Sequence, residues 1–379
     1  MKKIKLRSKE WFDNPKDPGL TALYLERYLN YGLKRKDLQS GKPIIGIAQS
    51  GSDLSPCNRH ILDLSKNIKK GILNAGGVPM EFPTHPIQET GKRPTAALDR
   101  NLSYLSLVEV LYGYPLDGVV LTTGCDKTTP AALMAAATVN IPSIILSGGP
   151  MLDGHYKGQK AGSGTIIWEA RKLYSKGEID YDQFMDMATA SSPSVGHCNT
   201  MGTASTMNSI AEALGMSLPG CAIIPAPYPE RKKISYKTGQ RIVNMVRENL
   251  TPSKIMTKKA FENAVVVASA IGGSSNATTH LLAIAKHMGI KFDLSNWQKL
   301  GHKIPLLVDC QPAGKYLMEG FYKAGGIPAV MKELIKNKKL NTKVKTVTGK
   351  NLGENLKSKI KVNSKAVSYT HLRAHETID

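Results

Sequence analysis

The chain has 379 residues, 41% of them hydrophobic, and carries 51 Lys and Arg against 30 Asp and Glu, a formal charge of +21 at pH 7. Such a chain buries a sizeable core, which excludes a disordered tail or a collagen-like fibre. No apolar run reaches the roughly 18 residues of a membrane-spanning helix, and MKKIKLRSKEWFDNP lacks the apolar centre of a secretory signal, so a cytoplasmic protein without membrane association is expected.

From Pro43, PIIGIAQ reads as a buried strand, followed by the polar turn SGSDLSPC and a helix with Ile61, Leu64, Ile68 and Ile72 on one stripe. Gly76-Gly77 ends that helix, and VPMEF is a second short strand. Residues 95–112 place Leu98, Leu102, Leu105, Val108 and Leu111 at helical spacing. DGVVLTT is a third strand, GCDKTTP a turn, AALMAAATV a small-residue helix and IPSIILS a fourth strand. Further on, CAIIPAP and AVVVASA read as strands, and GGSSNATT as a strand-to-helix turn into the amphipathic HLLAIAKHMG. Continuous apolar strands alternating with helices predict an α/β fold with a parallel sheet covered by helices on both faces. Ligands of such sheets gather outside the carboxyl ends of the strands, so the loops after the first and third strands are the place to seek a site.

The basic charge invites a nucleic-acid reading. Between Met331 and Lys365, however, 11 Lys and 2 Glu give a local +9 with almost no aromatic residue to stack on bases, which reads as a solvated Lys-rich surface. Residues 366–379, ending VSYTHLRAHETID, break from that pattern and resemble a translated sequencing adapter. They are set aside as a non-native tail. Residues 1–365 are then expected to form one domain, with the natural protein continuing beyond it.

Five cysteines, an odd number spread over a long chain, do not make a disulfide framework. Cys57 in SDLSPCNRH, Cys125 in TTGCDKTTP and Cys198 in SVGHCNTMG lie in loops flanked by Gly or Pro. Thiolates are soft ligands suited to iron, and three of them on a cluster would leave one iron position open. Spacing alone also allows them to be small buried hydrophobes. Cys221 and Cys310 adjoin apolar runs and are expected to pack. Asp126 and Lys127 follow Cys125, and Glu89 lies in THPIQETGKRP; the two carboxylates suit magnesium, with a salt bridge to Lys127 or Arg93 as the plain alternative. His60, His85 and His197 raise the idea of zinc, without the paired spacing that zinc sites show. The loops GGSSNATT and SGGP are glycine-containing turns that could cradle a phosphate, though neither matches a P-loop.

At CDKTTPAALMAA and GHCNTMGTASTMNSIAEALGMSLPG the sequence resembles the dihydroxy-acid and sugar-acid (6-phosphogluconate) dehydratase family. The resemblance extends through ALYLERYLNYGL, GKPIIGIAQSGSDLSPCNRH, AIGGSSNATTHL and QPAGKYLMEGFYKAGGIPAV, nearly everything before the Lys-rich end. CDKTTPA is similar to the aldonate branch, whereas the branched-chain amino-acid branch reads CDKNMPG. The resemblance implies a hydro-lyase that dehydrates an aldonate, such as L-arabinonate, D-xylonate or a hexonate, to a 2-keto-3-deoxy acid. It implies Cys57, Cys125 and Cys198 as ligands of an iron–sulfur cluster, [2Fe–2S] rather than [4Fe–4S], and Glu89, Asp126 and a carbamylated Lys127 as ligands of Mg2+. It further implies a homodimer or homotetramer, a small-molecule partner rather than nucleic acid, and a base serine in a C-terminal β-rich domain beyond this chain, without which activity is lost. The alternatives are a branched-chain dihydroxy-acid dehydratase and, more remotely, a basic nucleic-acid-binding protein.

Overall fold

The computed structural model describes residues 5–30, 32–89 and 96–357. The expected tail at 366–379, the boundary near 365 and Arg93 lie outside the described residues. Four parallel strands form the central sheet: β1 (Ile44–Gln49), β2 (Val78–Pro83), β3 (Gly118–Thr123) and β4 (Ser143–Ser147), in the order β2-β1-β3-β4. Three of them, β1, β3 and β4, are buried along their whole length, which is why they are continuous aliphatic runs rather than alternating ones.

Three short helices precede the sheet, α1 (Lys9–Phe12), α2 (Pro18–Leu29) and α3 (Arg35–Leu38). The crossovers are α4 (Ile61–Asn74) from β1 to β2, α5 (Ala97–Gly113) from β2 to β3, and α6 (Thr128–Val139) from β3 to β4. A hairpin, β5 (Gly154–Tyr156) and β6 (Gln159–Ala161), and helices α7 (Thr165–Ser175) and α8 (Tyr181–Thr189) form a small satellite core. There follow α9 (Thr203–Ala213), α10 (Pro229–Arg247), α11 (Pro252–Ile255), α12 (Lys258–Ala270), α13 (Asn276–His287), α14 (Leu294–Gly301), α15 (Met318–Lys323) and α16 (Gly326–Lys336). α4 packs with α10 against the strands, while α5 and α6 pack together and α6 covers β3 and β4. Right-handed crossovers that leave β1 and β3 in opposite directions put these two pairs on opposite faces, as expected from the sequence.

Four sequence expectations are corrected. CAIIPAP is not a strand: residues 221–224 form turns, because Pro225 and Pro227 cannot donate to a ladder and the Cys221 carbonyl accepts from Arg231 instead. AVVVASA is the second half of α12, where burial on nearly every side suits aliphatic residues as well as a strand would. GGSSNATT therefore joins two helices, α12 and α13, rather than a strand and a helix. On α5 the expected helix is present and Leu111 of its spacing faces the core, but Leu98, Leu102 and Leu105 are exposed and Ser103 and Leu107 are buried in their place.

The Lys-rich segment is likewise more than a solvated surface as far as residue 357. Lys338, Lys339, Lys343 and Lys345 are exposed, but Leu340, Val344, Val347 and Leu352 between them are buried in the main core. No helix among the described residues is long and apolar enough to cross a membrane.

Candidate active site

The strand order reverses between β1 and β3, since the chain leaves β1 toward β2 and leaves β3 toward β4. At such a switch point the loops diverge and leave a crevice at the carboxyl ends of the strands. Cys57 sits in the 3-10 turn Pro56–Asn58 after β1, and Cys125 follows β3 by one residue. Cys57 and Cys125 act on each other's ionisation: the Cys125 thiol, with the Gln88 amide donating to Cys57 Sγ at 3.3 Å, draws the Cys57 thiol down to about 7 against the opposing effect of burial. The same interaction, with burial and the nearby Asp126, pushes the Cys125 thiol upward.

Asn58, fully buried, locks the pair of loops by accepting the Cys125 N–H at 3.2 Å. That approach requires glycine at 124, where an added Cβ would lie 3.1 Å from Asn58 Cγ and nearer still to its Oδ1. Asn208 on α9 secures the loop from below, donating to the Gly124 carbonyl at 3.2 Å and accepting from Thr123 and Thr129.

Cys198, in the loop between α8 and α9, is held against the loop that follows β4. The loop after β4 makes a bridge at Pro150 and His197: His197 N–H donates to Gly149 O at 3.0 Å, and Met151 N–H donates to His197 O at 2.8 Å. Ser163 donates to Cys198 Sγ at 3.3 Å, burial raises that thiol, and Cys57 and Asp126 add to the effect through space. The three thiols thus share one electrostatic neighbourhood, although among the described residues no three His, Cys, Asp or Glu side chains yet form a closed metal cage.

Beside the thiols lies the acidic group. Lys127 is the N-cap of α6, and its Nζ lies 3.1 Å from Asp126 Oδ2 and 3.1 Å from Glu89 Oε2. Burial alone would lower the Lys127 amine; the two carboxylates outweigh it and hold the amine above its usual range. Burial raises Asp126, with Lys127 pulling the other way. A cation therefore already occupies the space between two carboxylates, and the same oxygens fit a divalent ion. Carbamylation of Lys127 would convert this set from two acids and a base into three oxygen donors.

The histidines do not form one group. His85 pairs with Asp99 at 2.8 Å, His60 bonds the Gly148 carbonyl at 2.8 Å, and His197 bonds the Cys198 carbonyl at 3.0 Å, so zinc gains no support. SGGP is no open cradle either, since Gly149 is packed against Arg231. Cys221 and Cys310 are buried, as expected of packing residues. Sequence reasoning missed Gln88, Asn58 and Ser163, which hold the thiol-bearing loops; for the first two, adjacency to Glu89 and Cys57 was the available signal. A cavity of about 850 Å3 lies at the β2 edge, lined by Trp11, Tyr28, Met80, Phe82 and Leu116, and includes none of these site residues.

Fold and crevice together define an α/β protein whose functional groups converge at the switch point of a parallel sheet. Residues 42–355 match the family described as dihydroxy-acid/6-phosphogluconate dehydratase N-terminal, and the chain belongs to that family. It is 59% identical over 355 residues to D-xylonate dehydratase of Caulobacter vibrioides, covering 94% of this chain and 60% of that protein. It is 45% identical over 363 residues to L-arabinonate dehydratase of Rhizobium leguminosarum bv. trifolii, covering 96% and 62%. With dihydroxy-acid dehydratase of Halothermothrix orenii it shares 39% identity over 331 residues, 86% of this chain and 59% of that one. The chain thus spans about 60% of the length of these relatives.

Proposed function

We propose that this chain carries the metal-binding half of a cytoplasmic hydro-lyase that removes water from a sugar acid of the D-xylonate or L-arabinonate kind to give a 2-keto-3-deoxy acid. The observation that carries the reading is the placing of the mutually interacting Cys57 and Cys125 thiols beside the Glu89–Lys127–Asp126 group in one switch-point crevice. Cys57, Cys125 and Cys198 would hold an iron–sulfur cluster, of the [2Fe–2S] type, with one iron position open to an oxygen of the substrate. Glu89, Asp126 and a carbamylated Lys127 would hold Mg2+. When bound, these groups supply Lewis acidity toward the carboxylate and 2-hydroxyl and toward the departing 3-hydroxyl.

The rest falls to the chain. Asp126 and Lys127 are more than nine-tenths buried, so the substrate's charged end meets them in a site where water is scarce and electrostatic forces are strong. The proton leaves C2, hydroxide leaves C3, and the enol tautomerises to the keto acid with no net oxidation. The base is the serine that the family resemblance implies in a further part of the whole protein, so activity belongs to the whole protein and this chain alone is expected to turn over little. The homo-oligomeric state belongs to the same proposal.

The higher identity to the two aldonate dehydratases than to the dihydroxy-acid dehydratase supports the sugar-acid reading. Thr128 and Thr129 do not select substrate by their own hydroxyls, which bond Cys125 O and Asn208 inside the fold. The test is anaerobic reconstitution with iron, sulfide and Mg2+, then keto-acid assay on D-xylonate, L-arabinonate and a branched-chain dihydroxy acid. It uses this chain beside one extended to the relatives' length. Product from an aldonate in the extended chain, with iron and sulfide lost in Cys57→Ser, Cys125→Ser and Cys198→Ser, bears the reading out; full clusters in all three variants overturn it.

A further inference from the structure

His280 lies on α13, is only 4% exposed, and is unused by the chemistry above. Arg100 Nη1 stands 3.1 Å from its Nδ1. A guanidinium only donates, so Nδ1 must be the accepting nitrogen and the single proton of the neutral ring sits on Nε2. That Nε2 is buried and, among the described residues, has no hydrogen-bond partner. Buried donors are nearly always satisfied, so an orphan one calls for an acceptor that the described residues do not provide.

Its place says which acceptor. α13 packs against α6, their later turns joined where Thr138 Oγ1 meets His287 Nδ1 at 3.0 Å, and Lys127 at the head of α6 acts through space on His280 near the head of α13, so the two helices run in the same direction. His280 is two turns earlier, about 10 Å back along the axis, level with the first turn of α6 and hence close to its N-cap, Lys127. Arg100 likewise lies in the first turn of α5, so the early turns of α5 and α13 meet at the Arg100–His280 bond, within electrostatic reach of Lys127.

We propose that His280 Nε2–H is a substrate-binding donor that fixes an oxygen of the aldonate, on its carboxylate or a neighbouring hydroxyl, against the Glu89–Lys127–Asp126 site. The role rests on the function proposed above and needs no proton transfer by the ring. Burial, reinforced by Lys127 and Arg100, holds the imidazole pKa down to about 4, so it stays neutral and keeps one donor and one acceptor at physiological pH. Arg100 is the positioning residue, since its bond to Nδ1 fixes the tautomer.

The test titrates the Mg2+-loaded protein with D-xylonate by calorimetry, in wild type, His280→Leu and His280→Gln, and records the histidine ring nitrogens by 15N NMR. His280→Gln restores both contacts, its Oε1 toward Arg100 and its Nε2 toward the ligand. We expect D-xylonate to bind about tenfold more weakly to His280→Leu and within about threefold of wild type to His280→Gln, with Mg2+ affinity unchanged in both. We also expect the proton on Nε2 and a shift of that resonance on adding D-xylonate. Equal D-xylonate affinity in His280→Leu, a proton on Nδ1, or a parallel loss of Mg2+ affinity overturns the assignment while leaving the proposed function standing. A wild-type protein that binds Mg2+ but no aldonate overturns both.

Discussion

Gly71 of α4 and Gly239 of α10 face each other where the two helices cross beneath the sheet. A Cβ on Gly239 would lie 3.0 Å from the carbonyl carbon of Ile68 and 3.1 Å from the Ile72 nitrogen; one on Gly71 would lie 3.0 Å from the carbonyl carbon of Tyr236. In both cases the obstacle is helix backbone, which cannot rotate away as a side chain does. Alanine gains about 1 kcal/mol over glycine in a helix interior, but overpacking of this kind costs up to about 3 kcal/mol. Gly239→Ala is therefore expected to lose about 2 kcal/mol in urea denaturation, whereas Gly19→Ala, on α2 with only Asp17 Oδ1 near at 3.9 Å, an ordinary contact, is expected to lose nothing.

Arg231 is fully buried, and its guanidinium serves backbone carbonyls: Nη1 donates to Ser147 O at 2.6 Å and Cys221 O at 2.8 Å, and Nη2 donates to Ile224 O. It ties the end of β4 to the 221–224 turns that sequence alone reads as a strand. Methionine fills a similar volume but leaves three carbonyls unpaired, at a cost of about 3 kcal/mol or more. Arg231→Met is expected to lose that much by chemical denaturation. Arg231→Lys, which keeps the charge but not the planar fork, should lose less; equal losses would point to fork geometry rather than charge.

Glu212 on α9 is buried and accepts the Gly220 and Ala222 N–H groups at 2.7 and 2.9 Å, yet burial pushes its carboxyl from 4.5 up to about 7. Between those two pH values the folded state keeps a proton that the unfolded state has lost. Its contribution to stability therefore falls as pH rises from 4.5 to 7, by on the order of 3 kcal/mol in all. Denaturation of wild type and Glu212→Gln across this range isolates the effect: wild type is expected to lose ground steadily against the variant. A constant difference would mean that Glu212 titrates normally.

Removing one oxygen donor from beside Lys127 acts on the cation site directly. Glu89→Gln and Asp126→Asn are each expected to weaken Mg2+ binding at least about tenfold in calorimetry, with the fold intact by circular dichroism. In bicarbonate buffer with Mg2+, intact mass of the wild type is expected to rise by one CO2 at Lys127, and Lys127→Met should show no such rise. Unchanged Mg2+ affinity in both carboxylate variants would remove this group from the metal site.

What the sequence determined by itself was the local grammar and its chemistry. Three aliphatic runs are β1, β3 and β4 because strands buried on both faces leave no polar alternation, and the loops of Cys57 and Cys125 fall at strand ends because that is where such sheets turn. Tertiary structure decided the rest. Whether AVVVASA became strand or helix depended on α9 and its other neighbours, since a short aliphatic run satisfies either period when every side is buried. The leucines of α5 sit at helical spacing, but only packing chose Leu107 and Leu111 for the core and left Leu98, Leu102 and Leu105 in solvent. Above all, Cys57, Glu89 and Asp126 stand far apart along the chain and carry no local mark of one another. Their meeting follows from strand order and helix direction, and hydrogen bonds that join distant segments exist only once the sheet has brought those segments to a single edge.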